Sequence, residues 1–343
     1  MTFNLSKCVN DIFCTPMVLT NTDLKFFVDK IRLKPEDMPK YRDQVKRLTN
    51  NLEERIKNDK RTGLKVTRAV ISGSWKKHTI LRPTGDTPID IDLVLFVTGD
   101  ENIMNDIPKL HNFIVSYLEE IYPQKDISKD VDAEGHTKSV KLKFTGSGLE
   151  VDIVPVVPLI EPDTYVWQPQ RGGGGKYITS IDKQLSFAKD RRDKNDSYTK
   201  IVRCLKWWRN YKELKPGDGE PGLSSFAIEL IAAYLDITEG VQTNIEEGII
   251  RFFQFLSAQK FPEITFKDAI RSIPRPYNTP IFVADNTNNE NNACKKLTRA
   301  KWDEIVNEAA EAFDTLNIAQ SRRNEGDTIE EWKSVFGPSF AIK

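Results

Sequence analysis

Residues that build soft metal centres are scarce in this chain and badly placed for the purpose. The 343 residues include four cysteines, Cys8, Cys14, Cys204 and Cys294, none in a Cys-x-x-Cys spacing, and three histidines, His78, His111 and His136. Structural zinc needs four such ligands, typically grouped in close pairs, so a zinc site is not expected. Net charge is also missing, because fifty Lys and Arg balance fifty Asp and Glu. A protein whose main task is coating nucleic acid carries a basic excess, and no obligatory nucleic-acid partner is expected here. No segment approaches the ~20 apolar residues of a membrane span, and Met1-Thr2-Phe3-Asn4-Leu5-Ser6-Lys7 lacks a signal-peptide core. These absences point to a cytoplasmic, reduced protein with no membrane partner.

Apolar mass, in contrast, is ample. The chain is 39% hydrophobic, with six Trp and eighteen Phe, enough for a sizeable core split between two lobes.

The stretch Ile71 to Val97 organises the rest. Ile71-Ser72-Gly73-Ser74-Trp75-Lys76-Lys77-His78-Thr79-Ile80-Leu81-Arg82-Pro83 leads through a turn to Ile89-Asp90-Ile91-Asp92-Leu93-Val94-Leu95-Phe96-Val97. The second segment alternates to Leu93 and then runs apolar, as a strand buried on both faces does. Residues two apart on a strand point the same way, so Asp90 and Asp92 share a face. Neighbouring carboxylates repel unless something neutralises them, and a hard, oxygen-seeking divalent cation would. Gly73 allows a tight turn, and Ser74 adds a hydroxyl beside exposed amides where a phosphate oxygen could sit. Downstream, Lys141 to Phe144, a Gly-containing turn and Leu149 to Val156 read as a hairpin with Asp152 in its second strand.

Gly73-Ser74, the basic Lys76-Lys77-x-Thr79-x-x-Arg82-Pro83 segment and the Asp90-x-Asp92 strand resemble the DNA polymerase beta-like nucleotidyltransferases. Within that superfamily the chain is most similar to the cGAS/DncV-like nucleotidyltransferases (CD-NTases) of bacterial anti-phage CBASS signalling. The resemblance implies an α+β fold, with a nucleotidyltransferase lobe of mixed sheet and helices, a C-terminal helical lobe, and an active site in the cleft between them. Its implied boundaries are 1–190 for the N-terminal helices and catalytic domain and 191–343 for the oligoadenylate synthetase-like helical domain. It implies synthesis of a cyclic di- or trinucleotide second messenger from ribonucleoside triphosphates, ATP among them, with release of pyrophosphate. Two Mg2+ ions, replaceable by Mn2+, would be held by Asp90, Asp92 and Asp152, while Gly73, Ser74, Lys206 and Ser225 would bind the donor triphosphate. A downstream effector that recognises the product and a protein activator are further implications. Two alternatives remain: a linear-product enzyme of the oligoadenylate synthetase or tRNA nucleotidyltransferase kind, and an inactive scaffold.

Elsewhere the pattern is mainly helical. Met38, Tyr41, Val45, Leu48, Leu52 and Ile56 form one apolar stripe, and Ile107 to Ile121 another. The run Trp167 to Tyr177 contains four consecutive glycines, Gly172 to Gly175, read as a mobile connector at the active-site mouth or a substrate clamp. From Ser197, the residues Ile201, Cys204, Leu205, Trp208 and Tyr211 make a buried stripe. Lys200, Arg203, Lys206, Arg209 and Lys212 fall on the remaining surface, as a solvated basic face or as anion contacts. One of Ser224 and Ser225 caps the next helix, while the resemblance places Ser225 on the triphosphate. The segment Phe282 to Asn292 is either an Asn-rich turn or a loose match to the family's base-pocket segment.

Overall fold

The computed structural model describes residues 18–85, 88–131, 137–169, 176–217, 220–258 and 260–343. The tetraglycine run, Cys8, Cys14 and His136 lie outside the described residues.

Thr20 caps the first helix, α1 (Asn21–Ile31), through a capping box in which its side chain and that of Asp23 each satisfy the other's backbone N–H. After a 3-10 turn, Pro35–Asp37, comes α2 (Met38–Asn58), whose buried face is the stripe Tyr41, Val45, Leu48, Leu52 and Ile56. The catalytic lobe follows as β1 (Lys65–Ile71), the short helix α3 (Gly73–Lys76), β2 (Ile89–Thr98), α4 (Glu101–Met104), α5 (Ile107–Ile121), β3 (Asp126–Val131), β4 (Thr137–Phe144) and β5 (Leu149–Pro158). Two short strands, β6 (Val166–Pro169) and β7 (Lys176–Thr179), lead to the helices α6 (Ile181–Lys194), α7 (Ser197–Tyr211), α8 (Ser225–Thr238) and α9 (Ile245–Leu256). The small hairpin β8 (Ala284–Asp285) and β9 (Asn288–Asn292) precedes α10 (Arg299–Ser321) and α11 (Glu325–Phe336).

The sheet runs in the order β1-β2-β5-β4-β3, with β6 and β7 extending it from β5. All its pairings are antiparallel except one: β2 and β5 are parallel, with Asp90 opposite Glu150 and Asp92 opposite Asp152. Beneath the sheet, α2 and α5 bury one core with Leu93, Leu95, Val151 and Ile153. A second core is formed by α1 together with α7 to α11. The N-terminal helix thus packs on the helical lobe, where the Phe27 ring meets those of Trp207, Phe336 and Phe340. Among the described residues no helix is long and apolar enough to cross a membrane.

Helix α7 departs from its sequence pattern. Arg203, Lys206 and Arg209 are buried, although they fall outside the apolar stripe. The helix runs between the two lobes, so its polar side faces His78, Thr79 and the start of α8 instead of water. Tyr211 is the reverse case, expected in the stripe yet 46% exposed. It is the last residue of α7, and there the backbone of Gly337 lies close against its ring.

Candidate active site

The carboxylates owe their positions to the parallel pairing. Asp90 and Asp92 rise from the start of β2, where the Ile89 N–H donates to the Gly148 carbonyl at 2.8 Å. Paired residues on neighbouring strands project to the same side, so Asp90, Asp92, Glu150 and Asp152 share one face of the sheet. Exposure falls across them, from exposed Asp90 through half-buried Asp92 to buried Asp152.

Gly73 sits directly behind Asp92. The Ser72 N–H donates to the Asp92 carbonyl at 2.8 Å, and Gly73 follows with φ of +57°. A Cβ on Gly73 would lie 1.7 Å from Asp92 Oδ2, so only glycine leaves that carboxylate its place. Ser74 is the second residue of the single turn of α3, and its carbonyl accepts from the Thr79 N–H at 2.9 Å.

These residues fit hard divalent ions. The donor set is all carboxylate oxygen on two adjacent strands, and the glycine leaves room for the Asp92 carboxylate within it. Among the described residues no three His, Cys, Asp or Glu groups lie close enough together to cage an ion.

Sequence reasoning missed a second cluster that ties the segment after Gly73-Ser74 to the helical lobe. The buried Glu229 of α8 accepts from Lys77 Nζ at 2.8 Å and from Thr79 Oγ1 at 2.9 Å. Lys206 Nζ donates to the Thr79 carbonyl at 3.0 Å, and Arg203 donates to the His78 carbonyl at 3.0 Å. His78 itself holds a left-handed backbone, with φ of 60°. Burial alone would raise the Glu229 carboxyl, but the Lys77 and Lys206 charges and the hydrogen bonds from Lys77 and Thr79 outweigh it and hold the pKa below the usual value. Burial brings Lys206 down to about 8, against the opposing pull of Glu229. The only hint in the sequence was a glutamate inside an apolar helix.

The two serines divide their roles. Ser224 is the cap of α8, accepting from the Ala227 N–H at 3.0 Å, while the Ser225 hydroxyl accepts from Arg209 at 3.1 Å. A cavity of about 490 Å3 opens between the lobes, with Ser74, Asp90, Lys206, Trp207 and Ser339 among its lining residues. Ser225 is not part of that lining.

Residues 17–180 match the family model of the Second Messenger Oligonucleotide or Dinucleotide Synthetase domain. A CBASS oligonucleotide cyclase CdnC of Escherichia coli is 32% identical over 328 residues, covering 95% of this chain and 99% of its own. A cyclic AMP-AMP-AMP synthase of E. coli (strain MS 115-1) is 32% identical over 324 residues, covering 93% and 97%. This chain is a CBASS CD-NTase. It belongs to the nucleotidyltransferases that make cyclic oligonucleotides in defence. The structure of E. coli MS115-1 CdnC with ATP is similar at 28% identity and a TM-score of 0.73, over 94% of this chain and 99% of that one. Vibrio cholerae DncV with its linear intermediate shares the fold at a TM-score of 0.66 and 12% identity, over 91% and 93%.

In the cyclase, Glu229→Gln should cost roughly 3 kcal/mol of stability at pH 7, because it leaves the largely covered Lys77 side chain without its counter-charge. A depressed carboxylate contributes stability that is present above its unfolded pKa and lost as pH falls through the folded one. The gap between variant and wild type should therefore shrink below the ordinary glutamate value of 4.5. Denaturant unfolding at several pH values measures this, and a gap independent of pH would show that the charge is not the cause.

Proposed function

We propose that this cyclase condenses ribonucleoside triphosphates, ATP foremost, into a cyclic di- or trinucleotide. Asp90, Asp92 and Asp152 would hold two magnesium ions, with manganese able to replace them. The observation that carries this reading is the register of β2 against β5, which sets Asp92 beside Asp152 with Gly73 behind. Magnesium at those carboxylates would neutralise the triphosphate and favour ionisation of the attacking hydroxyl. Gly73 and Ser74 grip the donor's phosphates from the catalytic lobe. Lys206 adds positive charge beneath the same loop, and Ser225 approaches from the start of α8. The division near residue 190 gives a catalytic domain and a helical domain, with α1 packed on the latter. ATP as substrate is supported by the ATP complex of the similar CdnC. The CdnC:HORMA complex supports a protein activator for this chain too. An effector responding to the product, and work in the cytoplasm, complete the proposal.

Incubation with the four ribonucleoside triphosphates and Mg2+, followed by phosphatase and mass spectrometry, tests it. A phosphatase-resistant cyclic oligonucleotide is expected, with adenine among its bases. Linear products alone would overturn the cyclase reading of this chain. The pH dependence tests Lys206 separately. If its ammonium holds the donor, kcat/KM for ATP should be level below pH 8 and fall by up to about tenfold per unit above it. Lys206→Arg, which keeps its charge, should remain level, and an identical fall in that variant would remove Lys206 from the role.

A further inference from the structure

Beside the three aspartates stands a cation that belongs to the protein. Lys141 lies on β4, the strand that flanks β5 on the side away from β2, and its register partner is Asp152. Its ammonium is 3.1 Å from Glu150 Oε2 and 3.9 Å from Asp152 Oδ1. Glu150 is in turn the register partner of Asp90, and Lys143 approaches its other oxygen at 3.5 Å. Two of the four carboxylates on these strands, Glu150 and Asp152, thus meet one half-buried lysine whose side chain is 28% exposed.

A surface ion pair here would need neither partial burial nor a position bridging two acids. Glu150 cannot serve as a spare metal ligand while it holds Lys141 and Lys143, and Lys141 reaches Asp152 at a longer distance than Glu150. That asymmetry is what a positioning group needs, because the lysine is anchored on Glu150 and leans on Asp152. We propose that Lys141, anchored by Glu150, is the resident counter-ion of the carboxylate cluster: it neutralises the site before divalent ions arrive and fixes the orientation of Asp152 once they do. The proposal rests on the reading of Asp90, Asp92 and Asp152 as metal ligands.

The sign of its effect distinguishes it from a structural role. A fixed positive charge next to a metal site opposes the ion, so its removal should tighten ion binding while leaving Asp152 poorly aimed. Mn2+ binding to the full chain without nucleotide, followed by electron paramagnetic resonance, gives a readout independent of turnover. Lys141→Met should bind Mn2+ about tenfold more tightly than wild type and yet turn over about tenfold more slowly. Glu150→Gln removes a negative charge and lets Lys141 lean further onto Asp152, so it should bind Mn2+ several-fold more weakly. Lys141→Arg should restore both values towards wild type, and melting temperatures identify any variant that has failed to fold. Asp152→Asn serves as the control that loses the ion. Equal Mn2+ affinity in Lys141→Met and wild type, with the Asp152→Asn loss intact, would overturn the role of Lys141 alone. No Mn2+ binding in the wild type would overturn the metal reading and this inference together.

Discussion

Asp92→Asn should lower cyclic product formation by about a thousandfold or more while leaving the fold in place. Asp92 is the carboxylate on which the site converges. It is the register partner of Asp152, its own carbonyl anchors Ser72, and Gly73 has no side chain so that its Oδ2 can stay. Asparagine has the same shape and loses only the charge, so packing on the sheet is preserved. Removing one of four like charges from one sheet face also relieves repulsion, and an unchanged or slightly higher melting temperature is expected. Initial rates at saturating ATP and Mg2+ are the measurement. A rate within tenfold of wild type would falsify the assignment of Asp92 to the metal site.

Gly73→Ala should be nearly as damaging, by about a hundredfold or more, for a purely geometric reason. The new methyl would fall 1.7 Å from Asp92 Oδ2 and 2.7 Å from its carboxyl carbon. The left-handed backbone at Gly73 adds strain of its own, of order 1 kcal/mol for a residue with a Cβ. Either the loop lifts or the carboxylate turns away, and both separate the Gly73-Ser74 turn from the acid pair. Mn2+ binding and ATP binding should weaken together in this variant. Loss of ATP binding with metal affinity untouched would mean that the loop moves independently of Asp92.

Local pattern accounts for what could be read from the chain alone. Alternation giving way to an apolar run marked β2, and the repeated three- and four-residue steps marked α2 and α5, because both signals come from neighbours in sequence. The parallel pairing of β2 with β5 is a different matter. It joins strands about sixty residues apart, with β3 and β4 placed outside them, and nothing local encodes that order. Hence Asp152 could be assigned to the aspartate pair through the family resemblance, whereas its neighbours Lys141 and Glu150 follow from the local hairpin, in which Phe144 opposite Leu149 sets Lys141 opposite Asp152. The lobe-spanning contacts were hidden as the parallel pairing was. Glu229 and Lys77 are 152 positions apart, and Arg203 and Arg209 read as surface bases because their burial comes from packing between lobes. The choice between Ser224 and Ser225 turned on one hydrogen bond, which two adjacent identical residues cannot reveal in sequence.

The wall of the inter-lobe cavity carries an indole. Trp207 lines that space next to Lys206, holds its ring nitrogen on the Phe336 carbonyl at 2.9 Å, and has the Arg82 guanidinium over its ring at 5.4 Å. The cyclase has six tryptophans, and among the described residues Trp207 is the one that borders the cavity. A polyphosphate drawn towards Lys206 would displace water and redistribute charge around an aromatic emitter already in contact with a cation. On the proposed role of Lys206 the site has its own optical probe, and substrate entry should change the ultraviolet fluorescence of the unlabelled protein.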